Sequence, residues 1–331
     1  MAILVVGGAG YIGSHAARLL RRQGYEVVIY DNLSTGYGFL AEGFELILGD
    51  IADGKKLAQV MKRIDAIMHF AAYTNVGESV VNPRKYFHNN VEAGLSLLNA
   101  AVDAGVHLFV FSSSCAVYGL PATIPIVEDT AREPVNPYGA SKLFFENALE
   151  AYSRAYGLRY ASLRYFNAAG SDESGEIGEL HDPETHLIPL ALAAAAGTGP
   201  ELQVYGSDYP TPDGTCIRDY IHVNDLAEAH VLALGQLMNG GASLAVNLGS
   251  GKGYSVRQVL ASVQEVVGKQ VPWCESARRP GDPPILVADP SCAHRLLTWK
   301  ASRSLKDMVS TAWNWAEAKE HMRKRAVSSS A

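Results

Sequence analysis

A doubly wound α/β fold, with a parallel sheet and a smaller C-terminal lobe, is what this sequence predicts. Three observations lead there. Short apolar, β-branched runs alternate with helical stretches through the first half of the chain. A glycine-rich turn joins the first run to the first helix. Beyond residue 168 the rhythm breaks into Gly-, Pro- and Asp-rich segments, including 207–214 and 278–284. The 331 residues favour two domains, or one large domain with a lobe. The expected division is 1–168 for the sheet domain and 169–331 mainly for the lobe, with segments around 219–250 returning to the sheet.

The elements follow in order. Ala2-Ile3-Leu4-Val5-Val6 is typical of a strand buried on both faces. Gly7-Gly8-Ala9-Gly10-Tyr11-Ile12-Gly13 comes next, then a helix that carries Ile12, Ala16, Leu19 and Leu20 toward one side. Gly24 closes the helix, and 26–30 reads as the second strand. This strand–turn–helix–strand setting is what a dinucleotide-binding turn requires. Glycines let the backbone turn tightly and approach a pyrophosphate, whose charge rests on the helix N-terminus. The spacing fits both GxGxxG (Gly8, Gly10, Gly13) and GxxGxxG (Gly7, Gly10, Gly13). A flexible turn without a ligand is the plainer alternative. Asp31, directly after the second strand, can accept hydrogen bonds from ribose hydroxyls and would repel a 2′-phosphate. No arginine occurs in 32–36, so NAD is expected rather than NADP.

Further strands are expected at 44–48, 66–70, 108–111 and 160–164, with helices over 90–104 and 138–154 between them. Right-handed crossovers then place Asp31, Phe70 and Ser114 along one edge of the sheet, where ligands bind in such folds. Ser114 ends a serine cluster, 112–114. Downstream, Tyr138 and Lys142 lie four apart, so on a helix the phenol and the ammonium share a face. Pro137 suits the first turn of that helix. A phenol with a pKa of about 10 is a poor base at neutral pH, and a fixed cation beside it would favour the phenolate. A Tyr and a Lys at this spacing also occur by chance on ordinary surface helices. The glycine turn and the serine cluster are what give the pair its meaning.

A formal net charge of −6 argues against nucleic acid or an anionic membrane surface as main partner. The four cysteines, Cys115, Cys216, Cys274 and Cys292, form no CxxC and read as reduced thiols. The ten histidines show no HExxH, so no metal is implied. The apolar N-terminus lacks the basic flank of a signal peptide, and no stretch approaches the roughly 18 apolar residues of a membrane span. No internal repeat appears, and 326–331 reads as a frayed tail.

With the glycine turn, Asp31, Ser114, Tyr138 and Lys142 in this order, the chain resembles the extended short-chain dehydrogenase/reductases, and within them the UDP-glucose 4-epimerases. The similarity runs from Val6-Gly7-Gly8-Ala9-Gly10-Tyr11-Ile12-Gly13-Ser14-His15 to Ala288-Asp289-Pro290. Its marks are Ser112-Ser113-Ser114-Cys115-Ala116-Val117-Tyr118-Gly119, Arg164-Tyr165-Phe166-Asn167, Asp213-Gly214-Thr215-Cys216-Ile217-Arg218-Asp219-Tyr220-Ile221-His222-Val223 and Arg279-Pro280-Gly281-Asp282.

The resemblance implies a Rossmann-type NAD-binding domain and a lobe for a UDP-hexose, with interconversion of UDP-glucose and UDP-galactose through a 4-keto sugar. Tyr138 would take the proton of the sugar 4-hydroxyl as hydride leaves C4. Lys142 would hold the nicotinamide ribose and lower the Tyr138 pKa, and Ser114 would bond the reacting oxygen. The implied cofactor set is Gly7, Gly10, Tyr11, Ile12, Gly13, Asp31, Asn32, Asp50, Ile51, Phe70, Ala71, Ala72, Asn90, Ser112, Tyr138, Lys142 and Tyr165. Asp50 and Ile51 would meet the adenine, and 70–72 the pyrophosphate and ribose, although Phe70 and Ala71 also fit a simply packed strand end. The implied substrate set is Ser114, Asn167, His186, Leu187, Arg218, Arg279 and Asp282, with the guanidinium groups suited to a diphosphate. A cytoplasmic homodimer, paired through the helices at 90–104 and 138–154, completes the expectation.

Three positions depart from the pattern. Thr74 stands where many relatives place a lysine, and His186 where asparagine is common, either facing the diphosphate or capping a helix. Leu286 stands where pocket size is tuned, so N-acetylhexosamine and pentose (UDP-xylose/UDP-arabinose) 4-epimerases remain alternatives. Dehydratases and decarboxylases of the superfamily carry an acid after the serine cluster, where this chain has Cys115 and Ala116. A net dehydrogenase would release NADH, and a silent NAD sensor would need no poised base.

Overall fold

The computed structural model describes residues 1–279 and 281–328, with side chains through Lys319. The chain opens with β1 (Ala2–Val6), α1 (Tyr11–Arg22), β2 (Glu26–Asp31), β3 (Glu45–Leu48), α2 (Gly54–Met61) and β4 (Ala66–His69). There follow α3 (Val76–Val81), α4 (Pro83–Phe87), α5 (Gly94–Asp103), β5 (Leu108–Ser114), α6 (Pro137–Tyr156) and β6 (Arg159–Tyr165). Next come β7 (Asn167–Ala169), α7 (Leu187–Ala196), β8 (Leu202–Tyr205), β9 (Ile217–His222), α8 (Val223–Met238) and β10 (Leu244–Leu248). The chain continues with β11 (Gly253–Ser255), α9 (Val256–Val267), β12 (Trp273–Ser276), β13 (Ile285–Leu286), α10 (Ser291–Leu297) and α11 (Leu305–Ser328).

Two compact units result. The first comprises Met1–Tyr165, Leu226–Leu248 and Asp289–Lys300; the second comprises Phe166–Asp225, Gly249–Ala288 and Ala301–Ala331. The chain therefore returns to the first unit twice, whereas the sequence suggested one return around 219–250. The second return is the short α10 segment, which has no strand to announce it.

The first unit holds a seven-stranded parallel sheet in the order β3-β2-β1-β4-β5-β6-β10. Strand order reverses between β1 and β4, the switch point at which doubly wound sheets bind ligands. Leu4, Val6, Ile67, Phe109 and Phe111 pack with Leu97, Leu98, Phe145 and Leu149 from the helices. Burying each such side chain contributes about 1.5–3 kcal/mol relative to exposure. Three boundaries differ from the sequence reading. β5 runs on through Ser114, pairing Ser114 with Tyr165 on β6. β4 stops at His69, one residue before Phe70. A π-helical stretch over His88–Ala93 precedes α5, so 90–104 is not uniform α-helix. Asn136 caps α6 by accepting from the Gly139 N–H at 2.8 Å, with Pro137 at the first helical position and Gly157 closing the helix at φ 70°.

In the second unit, β7 and β13 flank β9 in parallel and β11 pairs with β9 antiparallel, while β8 and β12 form a separate parallel pair. Helices α7, α9 and α11 enclose Ile188, Leu192, Val259, Val263, Met308 and Val309. Helix α11 carries Ala326–Ser328, part of the expected frayed tail; Pro280 and 329–331 lie outside the described residues. Among the described residues no helix is long and apolar enough to cross a membrane.

One buried ion pair fixes α6 to the sheet. Arg164 on β6 forks onto Glu146 on α6, with Nε 2.9 Å from Oε1 and Nη2 2.8 Å from Oε2. The two side chains are 4% and 3% exposed. Ser113 on β5 donates to the same carboxylate at 2.6 Å. Arg164→Met leaves the buried carboxylate with only Ser113 and the longer, 3.4 Å contact to the exposed Arg132, and should cost up to about 3–5 kcal/mol in urea unfolding, most of it recovered in Glu146→Leu/Arg164→Met. A loss below about 1 kcal/mol for the single variant, the range of an exposed pair, would show that the pair does not brace the helix.

Candidate active site

The glycine turn has the geometry of an anion cradle. Gly7 adopts φ 78°, and a Cβ on it would lie 2.5 Å from the Ala71 amide nitrogen. A Cβ on Gly13 would lie 2.3 Å from the Gly7 carbonyl oxygen, so α1 packs against the turn only with glycine there. Gly10 caps α1 and supplies no side chain to satisfy its first N–H groups. Tyr11 is buried edge-on against His15, and Ile12 is half-buried. A Cβ on Gly8 would lie 2.9 Å from the Ile29 side chain, so the backbone uses the glycines of both spacings.

Asp31 ends β2, buried, with its carboxylate accepting from the Ala9 N–H at 2.9 Å and the Leu33 N–H at 2.8 Å. Burial raises its pKa, and those two backbone bonds lower it. Asn32 donates to Asp50 Oδ2 at 2.9 Å, and Ile51 beside it is buried. Phe70 and Ala71 both donate their N–H groups to the Val6 carbonyl, and the Phe70 ring lies 4.8 Å from that of His230. Ala72 is half-buried. These residues stand at the ends of β1, β2 and β4, the sheet edge at which doubly wound folds bind ligands.

Asn90 departs from its expected role. Its carbonyl accepts from the Tyr73 N–H at 2.9 Å and from Asn89 at 2.9 Å, and its amide donates to the Tyr73 carbonyl and to Ser141 Oγ. Every hydrogen-bonding position is occupied within the protein, so the side chain braces α6 rather than reaching a ligand.

Tyr138, Lys142 and Ser114 come together as the sequence suggests. Tyr138 and Lys142 are buried, and Ser114, whose hydroxyl accepts from the Ala116 N–H at 3.2 Å, lies close enough to the Tyr138 phenol to lower its pKa. Lys142 Nζ donates to the Ser112 carbonyl at 2.8 Å and lies 5.9 Å from the centroid of the Tyr138 ring. Ser112 Oγ and the Tyr165 hydroxyl are 2.6 Å apart. The electrostatics differ from expectation. Burial, with Tyr165 adding to it, drives the Tyr138 pKa well above the ordinary tyrosine value; the Ser114 hydroxyl works the other way. Lys142 is itself pushed down to about 7 by burial, against the opposing pull of Glu146. Desolvation leaves the lysine with less charge to offer a phenolate.

In the second unit, Asn167 sits on β7 opposite Tyr220, and Arg218 on β9 opposite Leu286 of β13. Arg218 Nη2 donates to Asp282 Oδ1 at 3.0 Å, and its Nη1 donates to the Ile217 carbonyl. Arg279 is exposed, its guanidinium 4.0 Å above the Tyr205 ring. His186 occupies the cap position of α7 but makes no capping bond; Leu187 follows it, partly exposed. Instead, His186 Nδ1 lies 2.8 Å from Glu179 and 3.0 Å from Glu184.

Other functional-looking residues were not singled out from the sequence. Tyr118 accepts from Arg164 at 2.8 Å and donates to Asn247 at 2.7 Å, extending the Glu146 network to β10. Asp219 is buried and accepts from Ser250, Gly251 and Ala288, which makes it a strut for the loop after β10. Only the fold brings partners so far apart in sequence together, though Asp219 stands inside a motif that the sequence displays.

A buried phenol, a serine and a lysine at the end of a dinucleotide-type sheet can move a proton while a hydride moves beside them, which defines a dinucleotide-dependent oxidoreductase-type class. Residues 3–249 match the NAD dependent epimerase/dehydratase family, and the chain belongs to that family. It is 49% identical to a UDP-glucose 4-epimerase of Rhizobium meliloti over 95% of this chain and 96% of that protein. A crystal structure of UDP-glucose 4-epimerase from Brucella ovis in complex with NAD matches with 52% identity and a TM-score of 0.92, covering 94% of this chain and 97% of that one. A UDP-glucose 4-epimerase from Stenotrophomonas maltophila, with bound NAD and formylated UDP-arabinopyranose, matches with 42% identity and a TM-score of 0.94, covering 97% and 99%.

The Lys142 shift has a consequence for stability. Its folded pKa of about 7 lies below the ordinary lysine value of 10.5, so between those limits the unfolded chain binds the extra proton. This group's contribution therefore grows more favourable as pH rises from about 7 to 10.5, and is flat below. Lys142→Met should be more stable than wild type near pH 7, with the gap closing toward pH 10. Urea midpoints at pH 7, 8.5 and 10 check this, and a constant gap would contradict it.

Proposed function

We infer that the protein interconverts UDP-glucose and UDP-galactose, using NAD as a resident cofactor. The observation that carries the reading is the buried Tyr138 phenol beside Ser114, with Lys142 on the same helix face and anchored to the Ser112 carbonyl. The family and the named relatives supply the reaction class. The residues fit the cofactor: the uncapped start of α1 and the Cβ-free cradle at Gly7 and Gly13 suit a pyrophosphate, and Asp31 suits an unphosphorylated ribose.

Bound NAD would supply the acceptor and donor for the sugar C4 hydride and a positive charge near the phenol. The rest falls to the protein. Tyr138 takes the proton of the 4-hydroxyl as the C4 hydride leaves, and gives it back when the ketone is reduced. Ser114, beside the phenol, gives that proton a short path and holds the reacting oxygen. Lys142, anchored on the Ser112 carbonyl, is placed to hold the nicotinamide ribose. Substrate and product have the same oxidation state, so the reaction needs no external oxidant.

In the second unit, Arg218, Arg279 and Asn167 are the groups for the UDP diphosphate, and Asp282 is the group for the uridine ribose. His186 and Leu187, at the start of α7, complete the substrate set. Helices α3, α4 and α6 present exposed apolar side chains, Val81 at 87% and Phe144 at 51% among them, which supports a homodimer. A cytoplasmic role in galactose metabolism fits the reaction.

Proton NMR of the purified protein with UDP-galactose, before and after NAD is added, tests the reading. Anomeric signals of UDP-glucose should grow without accumulation of NADH; turnover of UDP-xylose alone would move the assignment to a pentose substrate. Tyr138→Phe should bind NAD normally and lose about 10²–10⁴-fold in rate, the usual share of acid–base catalysis; near-wild-type turnover would remove Tyr138 from its role. A fluorescence titration should show NAD bound more tightly than NADP, and the reverse order would remove Asp31 from the ribose.

A further inference from the structure

Four side chains in the eight residues before α7 form a cluster that the epimerase chemistry does not use in full. Glu179, His181, Glu184 and His186 place one ligand atom each within 4.8 Å of all the others. We propose that they form a binding site for one divalent transition-metal cation of the zinc class. The proposal goes beyond the epimerase reading and does not rest on it.

Geometry is the main support. His186 Nδ1 lies 2.8 Å from Glu179 Oε1 and 3.0 Å from Glu184 Oε1. His181 Nδ1 lies 3.3 Å from Glu179 Oε1 and 3.6 Å from Glu184 Oε2. Four ligand atoms placed tetrahedrally about 2.0–2.1 Å from a zinc ion are about 3.3 Å apart. With either Glu184 oxygen as the fourth ligand atom, three of the six edges of that tetrahedron are already close to length, and the others lie within 4.8 Å. Both imidazoles turn the same nitrogen inward, their rings 4.9 Å apart, so their donor atoms converge on one point.

The donor set and its surroundings agree. Two imidazoles with two carboxylates suit zinc and its neighbours in the transition series, whereas calcium and magnesium call for oxygen alone. The two carboxylates match the charge of one divalent ion, which would bind the imidazoles in their neutral form and displace the protons the carboxylates otherwise hold there. Each carboxylate is held in place. Glu179 is 6% exposed, its main-chain carbonyl accepting from Trp315 Nε1 at 2.8 Å. Glu184 Oε1 accepts from the Thr185 and His186 N–H groups at 2.8 and 2.9 Å. His186 is 47% exposed, which gives an ion a way in. The dipole of α7 opposes a cation at its start, but two carboxylates outweigh its half charge. The pattern Glu-x-His-x-x-Glu-x-His is visible in the sequence, and a search for HExxH passes it by.

The bound ion would pin 179–186 to the start of α7. The test uses the full-length protein, stripped with EDTA and titrated with CoCl₂ by visible absorbance and with ZnCl₂ by calorimetry. One Co²⁺ per chain should bind with the intense d–d bands of a four-coordinate nitrogen–oxygen site, and Zn²⁺ should bleach them. Glu184→Gln and His181→Ala should each weaken zinc binding by more than the about 10–100-fold typical of losing an outer partner. Circular dichroism shows whether each variant is folded; if His181→Ala is not, Glu184→Gln, which keeps its shape, carries the comparison. Absence of the bands, sulfur-to-cobalt charge transfer pointing to the cysteines, or unchanged affinity in folded Glu184→Gln would each overturn the site and leave an ion-paired cluster.

Discussion

Glu146 accepts from Arg164 on β6 and from Ser113 on β5 while it stands on α6, and the catalytic half of the molecule depends on that convergence. Ser113 lies between Ser112, whose carbonyl holds Lys142, and Ser114, which lies beside Tyr138. One turn before Glu146 on the same helix is Lys142, and one turn before that is Tyr138. The carboxylate therefore sets both the rotation of α6 and its depth against the strand ends. A charge buried to this extent is tolerable only because the guanidinium meets it in a fork and a hydroxyl takes a further lone pair. Apolar contacts such as Phe111 and Phe145 supply the bulk of the attraction, but they would tolerate a small slide of the helix. The fork would not, and a displacement near 1 Å is enough to spoil a proton transfer.

The same burial that makes the geometry rigid works against the base. The phenol of Tyr138 is held neutral, and Lys142 has lost much of the charge that would help it. The expectation that the lysine lowers the tyrosine pKa took two residues on one helix face as neighbours in water. In the fold their groups are desolvated, and the ammonium turns to a carbonyl instead. Within the proposed epimerase reading, the positive charge of the cofactor is a further contribution that would favour the phenolate.

Much of this was legible before the fold was known. The parallel sheet follows from Ala2–Val6 and its successors, and the cradle from glycines whose positions the backbone then required at Gly7 and Gly13. Tyr138, Lys142 and Ser114 were brought together by a helix period and a strand end, both of which depend on local sequence. What escaped depends on distance along the chain. Asn90 looked like a ligand contact because it is polar and near the groove; only its four internal bonds show it to be a brace. Arg164 and Tyr118 stand inside strings that carry the resemblance, but their pairing with each other and with Asn247 spans long separations that nothing local announces. The return of 289–300 to the first unit escaped for the same reason, since a single short helix carries no periodic signal for the unit it joins.

On the substrate side, the Arg218–Asp282 pair constrains what each partner can do. The 3.0 Å contact uses one guanidinium N–H, and the Ile217 carbonyl uses another, leaving three of five for a ligand. Those three are fixed in direction by the two bonds already made, the preorganisation that the proposed diphosphate contact would use. Asp282 pairs through Oδ1, and its second oxygen is the one that the proposed ribose contact would use. Leu286 stands directly opposite Arg218 in the β13–β9 register, so a change of bulk there would be felt by the strand that carries the arginine.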